Sequence, residues 1–357
     1  MIDAFDILYS AVAIPSVSRA EAAVAAFLVS QLQTFCDAAY LDGAGNAVGR
    51  LGTGPLQVYV LGHIDTVPGE VPLRLENGRL YGRGSVDAKG PFCTAVAAAS
   101  RLTPEVLRAL TVTLIGAVEE EVPSSRGAHF ALSSLPRPDF VIIGEPSGWD
   151  AMTLGYKGRL VLRLTRTKDN FHSAGNDSTA AEDVVQAWLE LQAWAKDAVS
   201  GSGIFESVQL ALQRFDTTSD GLTQRAEAEI GLRLPPSCPP ERAIPEITER
   251  LRAAALTLTF LGQEHPYRGP KDTPLTRAFR VAIRRAGGTP RFKLKTGTSD
   301  MNVVAPLWDV PMLAYGPGDS ALDHTPNEHV ELRELERAVT VLSTALTELA
   351  LRATRAS

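Results

Sequence analysis

The residues able to do chemistry stand where short apolar runs end. His63 and Asp65 follow the run Leu56–Leu61 as Gly62-His63-Ile64-Asp65-Thr66-Val67, and Asp87 lies in Gly82-Arg83-Gly84-Ser85-Val86-Asp87-Ala88-Lys89-Gly90. Glu119-Glu120-Glu121 closes the run Leu110–Val118. Glu145 follows Phe140–Ile143 as Gly144-Glu145-Pro146-Ser147-Gly148, and His324 ends the stretch that begins Gly316-Pro317-Gly318-Asp319. Imidazole nitrogen mixed with carboxylate oxygen suits zinc, cobalt or manganese, whereas calcium takes oxygen alone. Carboxylates have two oxygens each and can bridge a pair of ions about 3.5–4 Å apart. Residues i and i+2 of extended chain point the same way, so Asp65 is placed to hold the far ring nitrogen of a ligating His63. Plainer readings stand beside these: Asp87 as the N-cap of the next helix, the three glutamates as solvated charge. Charge at the end of a buried apolar strand requires a compensating cation, which disfavours the second.

The elements that must position these groups can be read from pattern. Apolar residues recur at helical spacing over Ala20–Leu32, and Pro91–Leu102 reads as an alanine-rich helix with proline near its start. Leu56–Leu61, ended by Gly62, Leu110–Val118, and Phe140–Ile143, ended by Gly144, read as buried strands. Strands alternating with helices predict an α/β layered sheet, whose carboxyl strand ends bind ligands. The middle of the chain differs. Arg159–Thr167 alternates like a half-exposed strand; Ala180–Ala195 reads as helix, Ser207–Gln213 and Ala226–Leu234 as strands, Pro240–Leu251 as helix and Leu256–Phe260 as strand. This β-α-β-β-α-β order predicts a ferredoxin-like α+β insertion over 156–268, within an α/β domain of 1–155 and 269–357. The α/β pattern resumes with a helix over Pro274–Ala286, strands near Phe292 and Val310, and a long helix over Leu332–Leu351.

Composition limits the function classes. A chain of 357 residues, 45% of them apolar, exceeds what one core usually holds, so two domains are expected. A net charge of −6 gives no broad basic footprint for nucleic acid. Cys36, Cys93 and Cys238 are too few and scattered for a disulfide framework or a thiolate zinc site. The acidic N-terminus has no basic n-region, and no apolar run approaches the ~18 residues of a membrane span. A cytoplasmic protein is expected.

Taken together, Gly-His-Ile-Asp-Thr-Val, Gly-Arg-Gly-x-x-Asp-x-Lys-Gly, the glutamate cluster, Gly-Glu-Pro and the late histidine resemble the M20 family of dinuclear zinc amidohydrolases and peptidases. The resemblance implies a mixed-sheet catalytic domain and an inserted lid that also dimerises. It implies two divalent ions, Zn2+ or Co2+, held by His63, Asp87, Glu121, Glu145 and His324, with Asp87 as the bridge. Glu120 would then be the general base and Asp65 the partner of His63; the alternative register makes Glu119 the base and Glu120 the ligand. His172, in Asn170-Phe171-His172-Ser173-Ala174-Gly175, matches the family's lid histidine, which stabilises the oxyanion from the partner subunit. His129, His265 and His329 read as structural or loop residues.

Leu80–Pro91 and Lys295–Asn302 are similar to the branch whose members release lysine, and in some cases ornithine, from the C-terminal glutamate of the small acidic carrier protein LysW. That reaction belongs to lysine or arginine biosynthesis through α-aminoadipate. Only seven of the 35 basic residues are lysine, and Lys89, Lys157, Lys293 and Lys295 lie in or near these motifs. Lys293 and Lys295 with Arg291 are placed to form a positive rim for an acidic carrier, or are ordinary solvated cations. Arg233 matches a lid-strand arginine of the family, although Gln224-Arg225 replaces the usual asparagine before that strand. A small-molecule deacylase and a non-catalytic metal-binding homologue are the competing readings.

Overall fold

The computed structural model describes residues 1–172, 176–199 and 203–356. The chain divides into two compact units, one of Met1–Gly155, Gly269–Leu294 and Ser299–Ser357, the other of Tyr156–Arg268 and Lys295–Thr298.

The first unit is built on a mixed sheet. Its strands run in the order Ala38–Leu41, Ala47–Leu51, Leu110–Ala117, Leu56–His63, Phe140–Gly144, Met312–Tyr315 and Ala151–Tyr156, with Arg291–Lys295 pairing on the last. Leu56–His63 lies parallel to both Leu110–Ala117 and Phe140–Gly144, which brings three carboxyl ends to one edge. Gly62 does not end its strand, as its residue type predicts, because it pairs with Gly116 on one side and Gly144 on the other. A side chain is what this row excludes: a Cβ on Gly62 would stand 3.2 Å from the Gly144 Cα, and one on Gly116 would stand 3.0 Å from the Phe92 ring. Phe92 belongs to the helix Lys89–Ala99, every residue of which is buried. Its alanines let it lie close to the sheet beneath the helices Ala4–Val12 and Leu332–Ala356. The helix starts two residues earlier than expected. Pro91 still falls in the first turn, where amide N–H groups lack intrahelical partners. On the opposite face the Tyr59 ring packs edge-on against Trp308, with centroids 5.5 Å apart, and its hydroxyl donates to the Pro136 carbonyl.

The second unit carries an antiparallel sheet in the order Gln209–Ser219, Thr223–Leu234, Gly158–Asp169, Thr257–Glu264. Its helices are Ala180–Asp197 and Pro240–Arg250, so the β-α-β-β-α-β succession is present with the ferredoxin-like order. Alternation explains why this segment was legible: Leu160, Leu162 and Leu164 enter the core with Ala226, Ala228, Ile230 and Leu232, while the residues between them face outward. The helix Ala180–Asp197 opens on a capping box between Thr179 and Glu182.

Two buried polar residues give measurable consequences. Asn46 is fully buried, accepts the Val118 N–H at 3.1 Å and donates to the Gly127 carbonyl at 3.0 Å and to Asp42. Asn46→Ala strands two backbone groups and is expected to cost about 2–4 kcal/mol in urea unfolding. Lys157 is buried in the second unit, donating to the Ser207 carbonyl and Gln209, and burial lowers its ammonium from 10.5 to about 8. Between those values the unfolded chain holds a proton that the folded chain has released, so this lysine's contribution to stability rises with pH over that window. The stability of wild type relative to Lys157→Met is therefore expected to increase from pH 8 towards 10.5. A flat difference would contradict the assignment.

Candidate metal centre

The three parallel strands bring polar side chains at their carboxyl ends to one place. His63 is the last residue of its strand and is buried; Glu120 and Glu121 follow the second strand, and Glu145 the third. His63 Nε2 lies 3.1 Å from Asp87 Oδ1, 3.7 Å from Glu145 Oε1 and 4.0 Å from Glu120 Oε2. The other oxygen of Asp87 lies 3.0 Å from His324 Nε2, which is also 2.9 Å from Glu121 Oε1. Asp87 thus offers one oxygen to each imidazole. His63, Asp87 and Glu121 present donor atoms all within 4.8 Å of one another. Ligand atoms bound at 2.0–2.2 Å in a tetrahedron stand about 3.3 Å apart, so these spacings fit divalent ions of zinc type.

The electrostatics agree with that fit. Burial works against protonation of His63, but Asp65, Asp87 and Glu120 outweigh it and hold the imidazole well above its ordinary value. Hydrogen bonds with Asp87 and Glu121 push half-exposed His324 up to about 10. Burial raises the Glu120 carboxyl well above the usual carboxylate range; His63 opposes this, while Asp300, Glu145 and Glu121 add to it. So many carboxylates in one place require positive charge, which protonated imidazoles or divalent cations displacing those protons would supply.

The glutamate cluster is sorted by backbone. Glu119 has a left-handed conformation, φ 60°, which redirects the chain after the strand. Its carboxylate is engaged by Arg126 at 2.8 Å and by the Ser124 hydroxyl at 2.6 Å, while its N–H donates to Glu21. Glu120 and Glu121 instead face His63 and His324. Asp65 meets the far ring nitrogen of His63, as expected, and does so with its backbone carbonyl as well as its carboxylate. His63 Nδ1 stands 3.1 Å from the Asp65 backbone carbonyl and 3.5 Å from its Oδ1, so the carbonyl makes the shorter contact. The carboxylate accepts the N–H groups of Glu120 at 3.1 Å and Glu121 at 3.0 Å, and the Ser18 hydroxyl at 2.7 Å. Burial alone would raise Asp65; His63, Ser18 and the Glu121 N–H outweigh it and hold it below its ordinary value.

Residues 59–348 match the pattern of Peptidase family M20/M25/M40. The chain belongs to this family. Among M20 relatives, the [LysW]-lysine hydrolase of Deinococcus radiodurans is 56% identical over 349 residues, 96% of each chain. A putative [LysW]-lysine/[LysW]-ornithine hydrolase of Thermococcus kodakarensis is 40% identical, covering 96% of this chain and 91% of that protein. Among solved structures, an M20 metallo-carboxypeptidase of Sulfolobus solfataricus superposes with a TM-score of 0.81 at 18% identity, covering 98% of this chain and all of that one. A dinuclear metal-binding M20 peptidase of Bacillus subtilis superposes with a TM-score of 0.70 at 14% identity, covering 98% and 97%. The chain is therefore a hydrolase of the M20 fold whose residues include a group able to hold metal.

The remaining expected residues lie elsewhere. His172 is exposed in the second unit, a few residues beyond the strand Gly158–Asp169; the Ser173–Gly175 part of its motif lies outside the described residues. Arg233 donates to the Thr298 hydroxyl at 3.1 Å, and Lys295 stands 5.7 Å from the centre of the Tyr156 ring, both within the second unit. Lys293 lies in the first unit, lining a cavity of about 550 Å³ with Trp149, Arg333 and Arg337, while Arg291 is paired with Asp150. Gln224 accepts the N–H of Ala180 at a helix start. His129 is on the exposed face of the helix Arg126–Ser134, His265 pairs with Glu241, and His329 packs on Tyr81. Ser18, Glu21 and Glu328 support the site without belonging to any spacing pattern. Asp300, buried at the N-terminus of the helix Asp300–Trp308, also acts on Glu120. Because Asp65 aligns both His63 and the glutamates, Asp65→Asn is expected to weaken metal binding 10- to 100-fold in a chelator-competition titration. Glu119→Ala is expected to leave it near wild type.

Proposed function

We propose that this chain hydrolyses the amide joining lysine to the γ-carboxyl of the C-terminal glutamate of LysW, with the corresponding ornithine conjugate as a second substrate, in lysine or arginine biosynthesis. The observation that carries the reading is 56% identity over 96% of both chains to a protein named for that reaction. The proposal places the enzyme in the cytoplasm, and no helix among the described residues is long and apolar enough to cross a membrane. A homodimer through the second unit is part of it. Support comes from the edge strand Gln209–Ser219, which leaves Leu212 43% and Phe215 39% exposed.

His63, Asp87, Glu121, Glu145 and His324 are assigned two Zn2+ or Co2+ ions, with Asp87 shared between them. When bound, such ions polarise the scissile carbonyl and acidify the attacking water. Glu120, whose carboxylate stands 4.0 Å from His63 and whose N–H is held by Asp65, accepts one proton from that water as oxygen bonds to the carbonyl carbon. The same carboxyl returns the proton to the lysine nitrogen as the C–N bond breaks, leaving the carrier's carboxylate and free amine. His172 is assigned the stabilisation of the developing oxyanion on its motif. Arg233, Lys293 and Lys295 are assigned to substrate contacts, the lysines favouring an acidic carrier.

The test is lysine release from the LysW conjugate, measured beside hydrolysis of N-acetylornithine. Chelation is expected to abolish release and Zn2+ or Co2+ to restore it. Faster turnover of N-acetylornithine would overturn the carrier reading in favour of a small-molecule deacylase. Glu120→Gln is expected to lower kcat by about 10²–10⁴ with two ions still bound. The same loss in Glu119→Gln, with Glu120→Gln active, would reverse the register.

A further inference from the structure

We infer that Glu328 is the positioning residue that sets Asp87 between the two imidazoles. Glu328 is fully buried, and its carboxylate accepts four hydrogen bonds, all from the loop that carries Asp87. Oε1 takes the backbone N–H groups of Gly84 at 2.9 Å, Val86 at 3.0 Å and Asp87 itself at 3.1 Å. Oε2 takes the Arg83 guanidinium at 2.7 Å. A buried carboxylate is costly unless so satisfied, and charge-assisted bonds of this kind are the stronger ones. Gly84, at φ +86°, supplies the turn that lets three N–H groups converge on one oxygen.

The grip matters because of where it comes from. Glu328 is four residues beyond His324, whose Nε2 meets Asp87 Oδ2 at 3.0 Å. One segment therefore meets Asp87 twice, through an imidazole at its carboxylate and a carboxylate at its amide. The Gly82 N–H also reaches the Glu328 carbonyl, at 3.3 Å. A ligand shared by two ions must hold both oxygens in fixed directions, and its backbone sets those directions. Glu328 registers the Asp87 loop against the His324 segment and so fixes both halves of the centre together.

The inference rests on reading Asp87 as the shared ligand, and the experiment separates the two. Metal affinity of the apo-protein is measured by chelator competition, and the Co2+ absorption spectrum is recorded, for wild type, Glu328→Gln, Arg83→Leu and Asp87→Ala. The amide of Glu328→Gln keeps the shape but brings an NH2 donor against donors. It is expected to bind both ions 10- to 100-fold more weakly and to shift the Co2+ spectrum, in protein whose circular dichroism is that of wild type. Arg83→Leu leaves three of the four bonds and is expected to lose affinity by a smaller factor, severalfold. Wild-type affinity and spectrum in folded Glu328→Gln, beside a loss in Asp87→Ala, would overturn the inference alone. Wild-type affinity in Asp87→Ala would overturn the metal reading itself. If Glu328→Gln fails to fold, wild-type affinity in Arg83→Leu overturns the inference.

Discussion

Carboxylates brought this close repel one another, and the first unit is arranged around that repulsion. Asp65, Asp87, Glu120, Glu121 and Glu145 converge on two imidazoles, and burial makes each charge more costly than it would be in water. The protein answers in two ways. Cations, whether imidazolium or metal, are drawn inward. Backbone N–H groups are also aimed at the carboxylates that must not move, so Asp65 takes the amides of Glu120 and Glu121, and Glu21 that of Glu119. Glu119, with Arg126 beside it, is withdrawn from the two imidazoles.

The sheet is what makes such a convergence possible. Three parallel strands in register end together, and the row of Gly116, Gly62 and Gly144 just before their ends lets a small-residue helix approach the sheet. The geometry of the centre thereby rests on strands at one edge of a packed core: His63 ends its strand, Glu120, Glu121 and Glu145 stand within four residues of the ends of theirs, and Asp87 and His324 come from separate loops.

Much of this was legible because strands and ligands carry periodic or motif signals. Alternation marked Gly158–Asp169 and Thr223–Leu234, apolar runs marked the three central strands, and histidine and acid at strand ends marked the centre. The illegible part shares a different physics. Asn46, Glu21, Ser18 and Glu328 are single polar residues whose long-range partners lie 47 to 245 residues away, for instance Glu328 with Arg83, and nothing local distinguishes them from surface filler. One detail at Asp65 is illegible for a related reason. Side-chain direction along a strand is predictable, but the choice between a carboxylate and its own backbone carbonyl at 3.1 Å is not. Short elements such as Ala38–Leu41 and Arg79–Tyr81 escaped because a few residues cannot establish a period.

The placement of His324 has a bearing on how the molecule is made. On the ribosome the chain completes His63, Asp87, Glu121 and Glu145 long before this residue exists, and the excursion from Tyr156 to Arg268 intervenes. A nascent polypeptide can therefore bring the residues around His63 together first, while the imidazole facing the far side of Asp87 follows only after that excursion has been synthesised. The contact between His324 and Asp87 thus closes a loop of more than two hundred residues.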